Sequence, residues 1–579
     1  MSVRTNPSEG VPGSLNHPTQ TNDTHQAPSS ADDIEKIRRD IDSLKNRFPT
    51  SMKSEKELFD QFVELIFSHH KIKGSDFSSV LPELKQKTES LLRNLAKSSR
   101  NDDTETRENQ NGFKPLSQLQ EKIMEKLEDN AIVKSLRVSY DFLDPVELRI
   151  CLLLLAIFPE NVVLKKRLMI YWWIGEGLVR DEKEGEERFQ KLLELGFIMP
   201  HCIDRRPTAN KCKIHPWIRY MLLSVAIIKE KLLQLDKGIP RFDPTISQRV
   251  CLIDDRTNLI SKDGSEAKDW RTIFNISGRF LSIDSKCFAK SKFVVLQLGR
   301  WQVYSPSHHI EVQDQSFLEG LRTQKHLKYL SLRGISRITT LPDSIKELVS
   351  LEILDLKACH NLETLPAAIA SLRKLTHLDV SECYMLESMP KGLDNLTSLL
   401  VLKGFIIGNS HRTPIRIGNL QKLKNLERLS IHIGSEAVVL ENEFDKLKDL
   451  EKVRCLKISW GLTNKDLIKV VSFPPSLEKL DLEGFPHEDM PEWLRPSKLS
   501  ELKKLYIKGG NLRKLEGPWN VEILILKYTK ALKINEQEVH RLFPSLQYVK
   551  KVNRKEDDDM TSETSAAKDS IEFEWPSLK

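Results

Sequence analysis

A six-residue phrase recurs at a fixed interval in the second half of the chain and constrains the fold more than any other feature. It opens on Leu327, Leu351, Leu375 and Leu399, at equal steps of 24 residues, and reads LKYLSL, LEILDL, LTHLDV and LLVLKG. Periods of this length are typical of solenoids, because each repeat is too small to bury its own apolar face and stacks on its neighbours. We therefore predict a row of short strands along one concave wall.

The phrase has the L-x-x-L-x-L pattern of a leucine-rich repeat. Looser copies share its apolar spacing and lie at FVVLQL (293–298), LERLSI (426–431), VRCLKI (453–458), LEKLDL (477–482), LKKLYI (502–507) and VEILIL (521–526). Cys359 and Cys383 each follow an opening leucine by eight residues, where an inward side chain normally satisfies backbone groups of the turn. We assign leucine-rich repeats to residues 291–550.

A concave wall of strands is a broad surface for gripping another macromolecule, so the repeats predict recognition and not chemistry. Side chains alternate along a strand, which turns Leu330, Leu354 and Leu378 inward and their neighbours towards solvent. The candidate partner-binding positions are these neighbours: Lys328, Tyr329, Ser331, Glu352, Asp355, Thr376, His377 and Asp379.

Composition argues against several function classes. The net charge of +7 over 579 residues is modest and gives no reason to expect a nucleic-acid partner. Eight cysteines are spread singly without a C-x-x-C pair, which argues against a zinc site or a disulfide framework and suits a reducing compartment. The adjacent histidines His69-His70 and His308-His309 lack the spacing of metal ligands. We expect no enzyme activity, catalytic residue, metal or cofactor.

No segment has the pattern of a secretory signal or a membrane span. The first 20 residues have no apolar core, and the longest apolar run, ICLLLLAIF (150–158), is about half the length that a span needs. We predict a cytoplasmic protein, with any contact to the plasma membrane peripheral.

Composition shifts divide the chain into segments of an α+β multidomain protein. Polar residues 1–32 are predicted to be a disordered tail, and 33–112 a helical region ending in a polar linker. Residues 231–290 are a connector with two candidate strands, at RVCLID (249–254) and RFLSID (279–284), and 551–579 an acidic flexible tail.

Residues 113–230 have the layout of a winged-helix domain. Apolar periodicity predicts helices over 116–127, 132–140, 145–158, 164–176 and 182–195. FIMPHCI (197–203) and KCKI (211–214) then predict two short strands joined by a polar loop. The predicted architecture is a helical N-terminal region, a winged helix and a C-terminal repeat solenoid of the α/β horseshoe type.

The stretch 136–179 closely resembles the winged-helix segment of plant nucleotide-binding leucine-rich-repeat disease-resistance proteins of the coiled-coil class. It carries an L-x-x-S-Y-x-x-L opening, an A-x-F-P-E turn ending at Glu160, and a W-I-x-E-G phrase ending at Gly177. KIHPWIRYM (213–221) looks like the Met-His-Asp motif of that family. With the repeats, the resemblance covers roughly residues 130–550.

The resemblance implies a nucleotide-binding domain, yet the chain contains no G-x-x-x-x-G-K-[ST] phosphate loop. We therefore expect a truncated form without ATP hydrolysis. In the family, the histidine of the Met-His-Asp motif contacts the ADP β-phosphate. His215 keeps that place as a degenerate cofactor-binding residue, but Ile214 and Pro216 replace its neighbours. His215 is accordingly expected to act as an ordinary helix-start residue.

The resemblance also implies a role in plant innate immunity. We expect a non-switching adapter, decoy or modulator whose repeats bind host proteins or pathogen effectors, and which pairs with other disease-resistance receptors or kinases. One alternative is a winged-helix DNA-binding regulator, with Lys165, Lys166 and Arg167 meeting phosphates. The helix at 164–177 is, however, otherwise apolar, as in a packed core. Another alternative is an inactive receptor fragment.

Overall fold

The computed structural model describes residues 131–158, 162–201, 209–226, 234–236, 239–241, 249–252, 256–259, 270–276, 278–283, 288, 291–301, 310–313, 315–409, 413–461, 468, 470–554 and 569–576. The predictions made for residues 1–130, including the disordered tail, the helical region with its linker and the helix at 116–127, lie outside these ranges.

Residues 131–226, here called the helical block, contain five α-helices and a small antiparallel sheet among their described residues. The helices are α1 (Ala131–Asp141), α2 (Val146–Leu154), α3 (Lys166–Glu176), α4 (Glu182–Glu194) and α5 (Pro216–Ser224). The strands are β1 (Leu164–Lys165), β2 (Met199–Pro200) and β3 (Lys211–Lys213), in the order β1-β3-β2. The helix predicted from Leu164 begins two residues later, because Leu164 and Lys165 pair with Cys212 and Lys211.

Capping explains where α4 begins and where α3 ends. The Asp181 side chain accepts a hydrogen bond from the Glu184 N–H at 2.9 Å and starts α4, whose first turn carries the acidic residues that a helix N-terminus favours. Gly177 ends α3 in the left-handed region, at φ 78°, where a glycine has no side-chain penalty.

Fourteen of the described strands form one sheet, in the order β22-β21-β20-β19-β18-β17-β16-β15-β14-β13-β12-β10-β8-β6. The strands beyond the helical block are β4 (Gln234–Asp236), β5 (Ile239–Arg241), β6 (Arg249–Leu252), β7 (Arg256–Leu259), β8 (Thr272–Asn275), β9 (Phe280–Ile283), β10 (Val295–Gln297), β11 (Glu311–Val312), β12 (Tyr329–Ser331), β13 (Ile353–Asp355), β14 (His377–Asp379), β15 (Val401–Ile407), β16 (Arg428–Ile433), β17 (Cys455–Trp460), β18 (Lys479–Glu483), β19 (Lys504–Lys508), β20 (Ile523–Lys527), β21 (Tyr548–Arg554) and β22 (Asp569–Pro576). Neighbours in the large sheet are parallel except β21 and β22.

Short helical turns form part of the return path in several repeats. Two α-helices lie among the repeats, α6 (Phe317–Gly320) and α7 (Glu536–Leu542). The 3₁₀-helices are Leu155–Ile157, Leu321–Thr323, Asp343–Glu347, Ala367–Ser371, Leu393–Asn395, Ile417–Lys422, Phe444–Asp449, Glu492–Leu494 and Pro496–Lys498. The turns Asp343–Glu347 and Ala367–Ser371 each begin directly after a Leu-Pro pair, at 341–342 and 365–366.

The sheet is wider than the sequence predicts. The expected connector at 231–290 contributes β6 and β8, which pair in parallel with each other and with β10. The expected flexible tail at 551–579 contains β22, which pairs antiparallel with β21. The sheet therefore extends beyond the predicted repeats 291–550 at both ends. These short segments carry no repeat pattern of their own. They form strands because they pair with a neighbouring strand of the stack.

The repeat phrases build the core as predicted. Leu330, Leu354 and Leu378 are completely buried in one continuous apolar cluster that runs along the sheet. The Cys359 thiol donates to the Leu332 carbonyl and the Cys383 thiol to the Leu356 carbonyl, both at 3.1 Å. The expectation that these cysteines point inward and satisfy turn backbone is confirmed.

Candidate functional site

The helical block lies against the concave face of the sheet, and both belong to the compact unit Asn109–Lys579. Helix α3 packs on β10 and β12, and Gly175 lies in this contact. A Cβ at this position would lie 2.8 Å from Tyr329 Cβ and 2.8 Å from Val295 Cγ2, so only glycine allows the helix to sit this near.

A charged contact fixes the start of α4 on the middle of the sheet. Arg428 Nη1 lies 2.6 Å from Glu182 Oε2, and His377 Nε2 lies 2.6 Å from Glu182 Oε1. Burial acts to raise the pKa of Glu182, but the hydrogen bonds and charges of His377 and Arg428 outweigh it and hold that pKa well below its usual range. Burial lowers the pKa of His377, so its ring is neutral near pH 7. The Tyr171 and His377 rings also pack edge to face, with their ring centroids 4.8 Å apart.

A second buried acid joins the end of α3 to the first strands of the sheet. Glu176 Oε2 lies 2.9 Å from Arg249 Nη2, and Glu176 Oε1 accepts from Thr272 Oγ1 at 2.6 Å and from Trp172 Nε1 at 3.2 Å. Burial alone would raise the pKa of Glu176, but the Arg249 charge and these donors lower it. The carboxylate is thus ionised and its buried oxygens are satisfied, as a stable buried charge requires.

Aromatic side chains fill the space between these two contacts. Trp172 packs on Phe274 with ring centroids 4.6 Å apart, and Phe158 meets Phe274 at 5.3 Å and Trp301 at 4.8 Å. The helical block therefore spans the concave face from β6 to β16.

Burial along the strands shows how much of the concave face the block covers. Every residue of β12 and β13 is buried, whereas buried and half-buried residues alternate along β16, β17 and β18. Alternation means that one face of the strand packs on the core while the other is open. Strands β17–β19 therefore present the open part of the concave wall.

Four of the predicted partner-binding residues do not face solvent. Tyr329, Ser331, His377 and Asp355 are exposed by 1%, 0%, 4% and 9% respectively. The expectation that strand alternation leaves them accessible is wrong, because the helical block occupies the face towards which they point.

The other four predicted residues are half-buried and engaged with neighbouring strands. Lys328 Nζ lies 3.0 Å from Glu352 Oε1, and Thr376 Oγ1 donates to the Glu352 carbonyl at 2.9 Å. Asp379 Oδ2 lies 3.0 Å from Lys403 Nζ.

His215 caps the helix that follows it. Its Nδ1 accepts a hydrogen bond from the Trp217 N–H at 3.1 Å, and Pro216 takes the first helical position of α5. The expectation of a helix-start residue is confirmed. Burial lowers the pKa of His215 to about 4, which keeps the ring neutral and able to accept this bond.

Sequence reasoning missed the side chains that line the open part of the concave wall. They occupy the strand positions equivalent to Ser331 and Arg333 in later repeats: Lys457, Ser459, Asp481, Glu483, Tyr506 and Lys508. The same alternation in the looser phrases VRCLKI, LEKLDL and LKKLYI contained the signal that would have found them.

The described residues show no arrangement suited to a metal or a membrane span. Across the ranges given above, no group of three or more His, Cys, Asp and Glu side chains lies together as metal ligands would. In the same ranges, no helix combines the length and apolar character that crossing a bilayer requires.

Burial raises the pKa of the Cys383 thiol to about 12, and this thiol is not part of a disulfide.

Comparison with known proteins agrees with the repeat architecture. A family model described as a leucine-rich repeat region matches residues 286–525. Disease resistance RPP13-like protein 4 of Arabidopsis thaliana is 29% identical over 448 residues, which are 73% of this chain and 50% of the relative. The chain is homologous to plant disease-resistance proteins. Disease resistance protein RPS5 of Arabidopsis thaliana is 27% identical over 38% of this chain and 23% of its own length.

The chain spans about half of the length of RPP13-like protein 4, and less of RPS5. Among solved structures, a leucine-rich-repeat protein of Leptospira interrogans aligns with 55% of this chain and 93% of its own, at 17% identity and a TM-score of 0.30. A superposition this loose adds nothing on function.

Proposed function

We propose that this protein acts in plant innate immunity by protein–protein recognition through the concave face of its repeats. It binds partners without enzyme activity and without a nucleotide switch, as an adapter, decoy or modulator of disease-resistance receptors. The names of its relatives support the immune role, and the absence of a phosphate-loop string from the 579 residues supports the non-switching role. Its partners are host proteins, pathogen effectors, receptors or kinases.

The open part of the concave wall carries this proposal. Strands β17–β19 present a mixed set of charges beside an aromatic side chain, including Lys457, Asp481, Glu483, Tyr506 and Lys508. Glu483 lies 2.5 Å from Lys457 Nζ and also contacts Lys508, so the two signs alternate over short distances. Such a surface matches a folded protein partner better than the uniformly negative backbone of a nucleic acid.

The winged-helix interpretation of the helical block forms part of the proposal, and the packing of α3 favours the protein-binding alternative. Trp172 and Trp173 of α3 are buried, and Gly175 lies against Tyr329. A helix that reads DNA needs a free face for the major groove. The repeats cover that side of α3, so we propose that the block is a structural partner of the sheet and not a DNA reader.

The test compares two quadruple variants of the tagged full chain in leaf cells, with and without pathogen challenge. One variant changes Lys457, Glu483, Tyr506 and Lys508 on the concave wall to alanine. The matched control changes four exposed residues of the return side to alanine: Lys346, Lys374, Lys424 and Glu451. Proteins recovered by affinity purification are identified by mass spectrometry.

Recovery of a receptor, kinase or effector by the wild type and the control, with loss from the concave variant, supports the proposal. Recovery of chromatin proteins favours the DNA-binding alternative. If the wild type and the concave variant recover the same proteins, the open concave wall is not the recognition surface. That result supports the alternative of an inactive receptor fragment.

A further inference from the structure

Positive side chains predominate in the groove between the helical block and the concave strands. Nine lysines and arginines line this groove, against five carboxylates. Most of these charges cancel in ion pairs, which are Arg333–Asp355, Lys357–Glu382, Lys403–Asp379, Lys457–Glu483 and the pair of Arg428 with Glu182 of the block. The excess positive charge therefore belongs to a few side chains.

Three cations of the groove, Lys165, Arg167 and Lys479, form no ion pair with any residue that the structure describes. The charges of Arg333 and Lys357 act on Lys165, at the end of the groove near β12 and β13. Arg167 and Lys479 belong instead to the other end, where β17–β19 form the open part of the concave wall.

Lys504 adds a further cation at this open end. It pairs directly with Lys479 across β18 and β19, and it too forms no ion pair with a described residue. Like charges at directly paired positions destabilise a sheet. Burial lowers the pKa of Lys479, and the positive charges of Arg167 and Lys504 act in the same direction. We call Arg167, Lys479 and Lys504 the cationic cluster.

Neighbouring side chains of the described structure do not neutralise the cationic cluster. Lys479 Nζ lies 4.0 Å from the centroid of the Tyr506 ring, which positions the ammonium without supplying a full negative charge. Asp481 follows Lys479 by two positions on β18, but burial raises the pKa of Asp481 despite the charges of Lys479 and Lys457. The cluster therefore keeps most of its positive charge.

The cationic cluster is accessible to a partner. Arg167 is exposed, and Lys479 and Lys504 are half-buried on the open strands. Charges that are partly withdrawn from water attract a counter-charge more strongly than fully exposed ones do. An anionic group that reached the cluster would also relieve the repulsion between Lys479 and Lys504.

The charges beside the cluster decide between two kinds of anion. Asp481 and Glu483 lie further along β18, and Glu483 already contacts Lys457 and Lys508. A nucleic-acid backbone is charged at every phosphate and would bring some of its phosphates against these carboxylates. A peptide segment can place a few carboxylates at the cluster and its neutral amide groups beside Asp481.

We propose that the partner of this surface is a protein that presents an acidic segment, a short run of Asp and Glu whose carboxylates pair with Arg167, Lys479 and Lys504. This inference rests on the proposed recognition function and names the chemistry of the partner. Arg167 belongs to the helical block and the two lysines to the sheet, so the bound segment joins these two parts.

Fluorescence anisotropy with the purified full chain tests the requirement for acidic groups. The labelled probes are an oligo-aspartate peptide, an oligo-asparagine peptide of the same length and an oligothymidylate. We expect the oligo-aspartate to bind, with an affinity that decreases as the salt concentration rises. The oligo-asparagine should not bind, and the oligothymidylate should bind more weakly than the oligo-aspartate.

Two double variants locate the binding. Arg167→Gln with Lys479→Gln should weaken oligo-aspartate binding by about tenfold for each ion pair removed. The matched control, Lys374→Gln with Lys424→Gln, removes the same charge from exposed lysines of the return side that likewise form no ion pair with a described residue. It should leave the affinity almost unchanged.

Folding of the cluster variant is checked by thermal unfolding. The variant should be no less stable than the wild type, because Lys479→Gln removes the like charge opposite Lys504. Lys504→Gln alone provides a second measurement of the same loss of affinity if the double variant does not fold.

Three results would overturn the proposal. They are equal binding of the aspartate and asparagine peptides, tighter binding of the oligothymidylate than of the oligo-aspartate, and equal loss of affinity in the cluster and control variants.

The leaf-cell purification separates this inference from the recognition function. A partner that the concave variant loses, but that Arg167→Gln with Lys479→Gln retains, would leave the recognition function standing and overturn the acidic segment. Specific binding of oligo-aspartate at the cluster, with no partner recovered from leaf cells, would support the acidic site and count against the recognition function alone.

Discussion

At the scale of single residues, His215 serves as the cap of the helix that follows it. Its neutral ring accepts the Trp217 N–H, and it is 5% exposed. Protonation would remove the acceptor and place a charge in a buried position. The folded state therefore binds this proton less well than the unfolded chain, so His215 favours folding above pH 6.5 and loses that contribution as the pH falls.

We predict that the free energy of unfolding decreases between pH 6.5 and about pH 4 through His215. The full effect of this group is on the order of 3 kcal/mol, at about 1.4 kcal/mol per unit of pKa shift. His215→Asn keeps a capping oxygen and removes the titration, so its stability should depend less on pH in urea unfolding experiments. Part of the dependence should remain, because burial also lowers the pKa of His377. His540→Asn, at an exposed histidine, should behave like the wild type.

The contact between Glu182 and Arg428 gives a second residue-scale prediction. Their side chains are 19% and 25% exposed, so solvent screens the pair only in part. A double-mutant cycle of Glu182→Gln and Arg428→Gln should give a coupling energy on the order of 1–3 kcal/mol. The exposed pair Glu492 and Arg495 is the control, with an expected coupling below about 0.5 kcal/mol. Equal coupling in the two pairs would contradict a role for Glu182 in holding the block on the sheet.

At the scale of elements, the docking of α3 on β10 and β12 depends on the missing side chain of Gly175. Alanine would normally favour a helix interior over glycine by about 1 kcal/mol. Here its Cβ would lie 2.8 Å from atoms of Tyr329 and Val295, and the buried sheet cannot move freely.

We therefore predict that Gly175→Ala destabilises the protein by about 1–3 kcal/mol despite its higher helix propensity. Hydrogen exchange should rise in α3 and in β12, and less in β18. Gly418→Ala is the control, because its nearest neighbour would be Lys446 Cγ at 3.7 Å. Unchanged exchange in α3 after Gly175→Ala would mean that the helix is not seated as closely as described.

Local pattern predicted the elements but not the contacts between them. The 24-residue period correctly predicted the strands around Leu330, Leu354 and Leu378. It could do so because each repeat packs on its neighbour in the same way and therefore needs the same apolar residues. The same pattern failed for the exposure of Tyr329 and His377. Alternation predicts which face of the strand a side chain lies on. Whether that side chain is buried depends on residues distant in sequence, such as Glu182, which lies 195 positions from His377. The periodicity of either segment does not predict such a contact.

At the scale of the whole molecule, β22 covers the last parallel strand of the sheet. It pairs with β21 from Tyr548–Pro576 to Arg554–Asp569, and Glu574 Oε2 lies 3.1 Å from the buried Lys550 Nζ. An uncovered edge strand offers unpaired backbone groups to other chains.

A variant that ends at Arg554 should therefore self-associate and lose stability relative to a control that ends at Pro576. Light scattering after size-exclusion chromatography across a concentration series measures the first effect, and thermal unfolding the second. A monomer of unchanged melting temperature would show that β22 does not protect this edge.

The helical block also has a mechanical consequence for the repeats that it spans. Strands of a solenoid are joined one to the next, so the radius of the arc can normally widen or tighten by small changes at every step. Here Glu176 is bound to Arg249 on β6, and Glu182 is bound to Arg428 on β16. Glu176 and Glu182 lie only a few positions apart in the chain. These two attachments hold β6 and β16 at a fixed distance from each other. The strands from β6 to β16 should bend little, whereas β17 to β21 keep the elasticity of an unbraced solenoid.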